Sequence, residues 1–149
     1  MKSLFDSDHC QRIVGRIESI DPDTKPLWGK MNLAQTLAHL RKPIEVALGE
    51  RVLPRSFLGR MLGGLVKKGA VGPKPFKQGL PTDPRLLESD PKGVGAEKSA
   101  LLEKLRSLCE GGPAALTKDP HPFFGRLTTA EWDSLMSKHL DHHLRQFGA

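Results

Sequence analysis

The sequence predicts an all-α protein built from four long helices, with one extended excursion between the second and third. Three observations carry this. Apolar residues recur at intervals of three and four in four separate stretches, the pitch of helices that bury one face. Start and stop residues bracket those stretches. No segment shows the alternation that a half-buried strand requires. At 149 residues the chain is read as a single domain, residues 1–149, long enough to bury a real core.

Helix one is expected over Ser7 to Ile20, with Ile13, Ile17 and Ile20 at helical spacing and Asp21-Pro22-Asp23 ending it. Helix two starts at Asn32, an N-cap with Gln35 three residues on, and runs through Leu33, Leu37, Leu40, Ile44 and Leu48 to a stop at Gly49. Pro43 lies inside it. Proline removes the bond to the carbonyl of His39 and is expected to kink the helix there.

From Glu50 to about Gly95 the pattern changes. Residues 56–66 read as one short amphipathic helix. Beyond them Pro73, Pro75, Pro81, Pro84 and Pro91 mark an irregular crossover, and so long a connection in a compact domain is expected to cover something. Helix three is read over Ala96 to Glu110, with Leu101, Leu102, Leu105 and Leu108 inward. In the following connection two prolines bracket His121, which stiffens that backbone, and Phe123-Phe124 is read as a plug on the end of the helices.

The last helix is the clearest. Thr128 and Glu131 form a capping box, no Pro or Gly interrupts 129–147, and Gly148 supplies the stop. At about 100° per residue, Trp132, Leu135, Met136, His139, His143, Gln146 and Phe147 share one face, while Asp133, Ser134, Lys138, Asp141 and Arg145 fall on the other. His142 lies at the edge of the apolar stripe. His139 and His143 are one turn apart within it.

A buried neutral imidazole has a donor and an acceptor to satisfy, and leaving either unpaired costs about 1–3 kcal/mol. Two such rings in one apolar face need a common partner. Either structural waters bridge them, or one divalent cation takes both acceptor nitrogens. On the residues alone, His39 sits on one flank of its stripe, beside Thr36, Pro43 and Val46, and reads as a rim histidine. His121 reads as a loop residue.

Composition narrows the classes. No apolar run approaches the length of a membrane span, and the N-terminus shows no secretory pattern. Cys10 and Cys109 are far apart and outside any Cys-x-x-Cys pair, so both are expected as reduced, buried, small hydrophobes in a cytoplasmic setting. The net charge of +6 is densest between Arg51 and Arg85, but Phe57 and Phe76 are the only aromatics there, short of the basic stripe with interleaved aromatics of a nucleic-acid binder. That region is read as a solvated face. Neither a nucleic acid nor a membrane is expected as a partner.

Trp28-Gly29-Lys30-Met31-Asn32 with Leu37-Ala38-His39-Leu40, together with His139-x-x-His142-His143-x-x-Gln146, resembles the DinB/YfiT-like superfamily. The segment His121-Pro122-Phe123-Phe124-Gly125, continuing to Glu131-Trp132, is similar to one uncharacterised branch of it. The resemblance covers most of the chain except the crossover. It implies a four-helix bundle with a long crossover between helices two and three. It also implies a divalent metal, zinc or nickel, held by one histidine from helix two and two from the last helix. Carried over by position, those ligands are His39, His139 and His143. His142, Gln146, His121 and Trp132 become candidates for the surrounding pocket. Characterised relatives include thiol-dependent S-transferases, which implies a small-molecule substrate and a low-molecular-weight thiol; hydrolysis by an activated water is the related chemistry. Relatives often dimerise, which makes a homodimer one arrangement the resemblance allows, while the sequence leaves the oligomeric state open. No Asp or Glu lies on the site face of the last helix, which leaves the reaction open. A metal-stabilised binding module without chemistry stands as the alternative.

Overall fold

The computed structural model describes residues 2–149. These form five α-helices: α1 (Ser7–Ser19), α2 (Leu33–Ala47), α3 (Phe57–Val71), α4 (Val94–Gly111) and α5 (Thr129–Gln146). Two short 3-10 turns, Pro84–Leu86 and Gly112–Ala115, stand in the connections, and there is no strand among the described residues. The expected count of four helices is therefore corrected to five. The segment read as a short amphipathic helix is a full helix, because Ser56 caps it by accepting from the Gly59 amide and nothing stops it before Gly72.

Both expected capping boxes are present. Asn32 and Gln35 cap each other's backbone at the start of α2, as Thr128 and Glu131 do at the start of α5. Helix α2 continues through Pro43. It packs on α4 and α5, and α1 packs on the same two helices. Leucine and isoleucine side chains from these elements, with Trp132, Met136 and Phe147, make one continuous core. No helix among the described residues is long and apolar enough to cross a membrane.

The cysteine expectation is overturned. Cys10 of α1 and Cys109 of α4 form a disulfide, with their Cα atoms 6.4 Å apart. Two positions 99 residues apart carried no pairing signal; the packing of α1 on α4 brings them together. With that, the cysteines no longer argue for a reducing compartment.

Helix α3 docks on α5 and on the loop that precedes α5 through small residues. Gly59, Gly63 and Ala70 are buried. A Cβ at Gly63 would come within 2.0 Å of the Phe123 carbonyl oxygen, and one at Gly59 within 2.7 Å of the same atom. This contact buries part of the polar face of α5. Lys138, on the face opposite the apolar stripe, is 2% exposed. Its ammonium donates to the carbonyls of Gly69 (2.8 Å) and Gly72 (2.9 Å), and Ser134 donates to Val71 O at 2.6 Å. These are carbonyls at the C-terminal end of α3, which lack intrahelical donors and attract positive charge. Burial lowers the Lys138 pKa.

Candidate metal centre

Helix α2 is buried on almost every side, and this decides the fate of His39. Beyond the leucine stripe, its flank is covered by the crossover. Lys42 donates to the Leu87 carbonyl and pairs with Glu88 at 3.2 Å, while His39 Nδ1 donates to the Leu86 carbonyl at 2.9 Å. Two neighbouring carbonyls of the crossover are thereby tied to successive turns of α2. His39 is 1% exposed, so the rim reading is overturned: the flank is interior because the crossover lies over it.

From α5, His139 and His143 project into the same space, as their four-residue spacing requires. The Nε2 atoms of His39 and His139 are 2.9 Å apart. The three ring centroids lie 4.7 to 5.0 Å apart. One nitrogen from each of His39, His139 and His143 can be chosen so that all lie within 4.8 Å of one another, and the set could hold a divalent metal.

Hydrogen bonds fix the tautomers. His39 Nδ1–H is committed to Leu86 O, which leaves the Nε2 lone pair free. His143 Nδ1–H donates to Gln146 Oε1 at 2.7 Å, again freeing Nε2. Gln146 is itself oriented, because its amide nitrogen donates to the Trp28 carbonyl at 2.6 Å. Gly29 lies against that amide at φ +85°, where any Cβ would stand 2.4 Å from Gln146 Nε2. Facing His39 Nε2 as an acceptor, His139 Nε2 either supplies a proton or shares a cation. A tetrahedral zinc site with bonds of about 2.0–2.1 Å sets its nitrogens about 3.3 Å apart. The widest separation has to close by about 1.5 Å, within reach of side-chain rotation.

Electrostatics favour neutral rings. Burial pushes His139 well below its ordinary value, with the His39 and His143 rings adding to the effect. His143 is lowered to about 4, first by burial and then by His39. His39 is lowered by burial, opposed by its bond to Leu86. All three thus offer lone pairs at neutral pH. Their donor set is three imidazoles oriented by a carbonyl and a neutral amide, which suits a borderline cation such as zinc or nickel.

His139 keeps more accessible surface than the other two. Near it, the His142 ring lies 5.0 Å from His143 and 6.0 Å from each of Trp28 and Phe76. His142 is half-buried, and burial lowers its pKa. Phe76 of the crossover carries Lys138 Nζ 4.6 Å from its ring centroid. Thus His142 and Gln146 join the triad's surroundings.

His121 and Trp132 make no hydrogen bond to the three rings. They pair with each other, ring centroids 5.3 Å apart; Trp132 lies two turns before His139 on α5, and the His121 ring adds to the lowering of the His139 pKa. The reading of His121 as a loop residue is right in position but misses its burial: Nδ1 accepts from the amides of Phe123 and Phe124 at 3.0 and 3.1 Å, and its pKa is lowered to about 4. The Leu86 and Trp28 carbonyls and the Phe76 ring were missed. The two carbonyls carry no side-chain signal at all, and Phe76 sits in the segment with the weakest periodicity. A wide surface groove bordered by Lys67, Lys118, Arg126 and Glu131 opens at the other end of α5 and contains none of the three histidines.

The fold and site define an all-helical protein with a buried three-histidine cluster that could bind a divalent metal. The chain matches, over residues 5–149, the family described as protein of unknown function (DUF1569), and it belongs to that family. Comparison with curated proteins gave no match, and comparison with solved structures gave none.

Proposed function

We propose that this protein is a metal-dependent enzyme whose divalent ion, zinc or nickel, is held by His39, His139 and His143, with a small-molecule substrate approaching past His139. In this reading α1, α2, α4 and α5 form a four-helix bundle of the DinB/YfiT kind, and α3 belongs to its long crossover. One observation carries the reading: imidazoles from two separate helices converge, with two of them held by Nδ1 donors in the tautomer that presents Nε2 inward.

A divalent ion in such a site lowers the pKa of a bound thiol or water. The protein's own groups supply the rest. Leu86 O and Gln146 hold the ligand rings against rotation. Trp28 and Phe76 flank the approach and exclude water. His142 stands beside the triad without a place in it, and moves a proton between the bound group and solvent. Thiol-dependent S-transfer is the preferred reaction, with hydrolysis second.

A non-catalytic binding module is the second reading. It is favoured by the absence, among the described residues, of any carboxylate hydrogen-bonded to the three rings.

Metal content separates the first step from the second. Protein dialysed against zinc or nickel should retain one equivalent, and His139→Ala should retain none tightly. An unchanged equivalent in that variant would refute the ligand set. Metal-replete protein is then assayed with glutathione-like thiols against model electrophiles. Turnover lost in His142→Ala at unchanged metal content supports the enzyme; no turnover with any thiol or hydrolysable ester supports the binding module.

A further inference from the structure

Helix α3 is mounted with its faces reversed relative to an ordinary surface helix. Its inner side is Gly59, Gly63 and Ala70. Its large apolar residues, Phe57, Leu58, Met61, Leu62, Leu65 and Val66, are all exposed, Phe57 to 78% and Leu65 to 81%. At about 100° per residue they occupy one half of the helix circumference, opposite the glycines. The orientation is locked: turning the helix over would drive bulky side chains against the Phe123 backbone, where even a Cβ at Gly63 meets an atom at 2.0 Å. A contiguous apolar face of this kind marks a binding surface.

The charge around it identifies the occupant. Residues 51–82 hold seven Lys and Arg and no Asp or Glu. Taking those seven from the chain's 23 cations leaves 16 against 17 anions, so the whole net charge of +6 resides in this segment. Arg60 lies beside the apolar arc and Lys68 just past its C-terminal end; both are exposed, as are Lys74 and Lys77 further on. A second copy docking by the same face would set these cations against each other. Anionic phospholipid headgroups above an apolar layer complement both features at once.

We propose that α3 is an interfacial anchor: it lies in the plane of an anionic membrane surface, its Phe57–Val66 arc inserted below the headgroups and its flanking Lys and Arg among them. No spanning segment is needed. The expectation that no membrane is a partner considered only spanning runs, and a helix lying flat leaves no such run. The proposal is independent of the histidine cluster.

The test is flotation of the full chain with vesicles of phosphatidylcholine alone and of phosphatidylcholine mixed with phosphatidylglycerol. Binding to the anionic vesicles is expected, weakened by salt and by about fivefold for each of Arg60, Lys68, Lys74 and Lys77 changed to Gln. The double variant Met61→Gln/Leu65→Gln should lose at least about tenfold in partitioning with its charge and melting profile intact. Three results would overturn the proposal. One is no association with either vesicle. Another is undiminished binding by the double variant, which would mean that charge alone attracts the protein. The third is self-association by sedimentation that the double variant abolishes while vesicles stay unbound, which would assign the face to a second copy.

Discussion

Gln146 offers a sharp test of the metal reading, because it touches no metal and yet sets a ligand's tautomer. Its Oε1 accepts from His143 Nδ1–H at 2.7 Å, and its Nε2 donates to Trp28 O at 2.6 Å. Gln146→Leu removes both bonds at a position 3% exposed. The His143 ring then loses the partner that held its proton on Nδ1. Loss of such an orienting partner lowers metal affinity about 10- to 100-fold, or about 1.4–2.7 kcal/mol. Gln146→Glu behaves differently. A carboxylate still accepts from Nδ1–H and makes the imidazole a better ligand, but it no longer donates to Trp28 O. Affinity should stay within about threefold of the parent or tighten, while unfolding stability falls by about 1–3 kcal/mol from the bond lost at Trp28. The assay is competition with a chromophoric chelator at neutral pH, using zinc and nickel in turn, with urea melts of the metal-free proteins alongside. Parent-like affinity in Gln146→Leu, or an equal fall in Gln146→Glu, would refute the reasoning.

Other tests address the frame. His121, lowered to about 4 against an ordinary 6.5, binds a proton more readily unfolded than folded, so its contribution is complete above about pH 6.5 and is lost as pH falls toward 4. The gap is worth about 3 kcal/mol, and the urea midpoint should fall less between neutral and acid pH in His121→Asn than in the parent; equal falls would remove His121 as the cause. Gly63→Ala should destabilise the protein by about 1–3 kcal/mol, since its Cβ meets Phe123 O, whereas Gly64→Ala, with nothing nearby, should stabilise it by about 0.5–1 kcal/mol. The reverse order in thermal melts would mean that α3 is not docked by its glycine face. Reducing the Cys10–Cys109 bond opens a cross-link spanning 99 residues and should cost about 2–4 kcal/mol, with no reductant effect in Cys109→Ser. A midpoint insensitive to reductant in the parent would count against the bond.

Local patterns made much of this protein legible. The caps at Asn32 and Thr128 announced two helix starts because capping is an interaction between residues three apart. His139 and His143 shared a face because helical pitch dictates it. The positions of Leu101, Leu105 and Leu108 in the core followed in the same way. His39 could not be placed by periodicity. Its flank is interior only because Leu86 and Leu87, more than forty residues away, lie over it. Periodicity was equally silent on the burial of Lys138, whose partners are the carbonyls at the end of α3.

The sequence by itself determined the helices, their starts, and the pairing of two histidines on one of them, since each depends on neighbours within a turn or two. Tertiary structure decided how the third imidazole, which the family resemblance had already assigned to His39, comes to join them, that Cys10 meets Cys109, and that α3 turns its bulk outward. Those outcomes depend on which surfaces cover one another, and coverage is set by contacts between distant segments that no local spacing encodes.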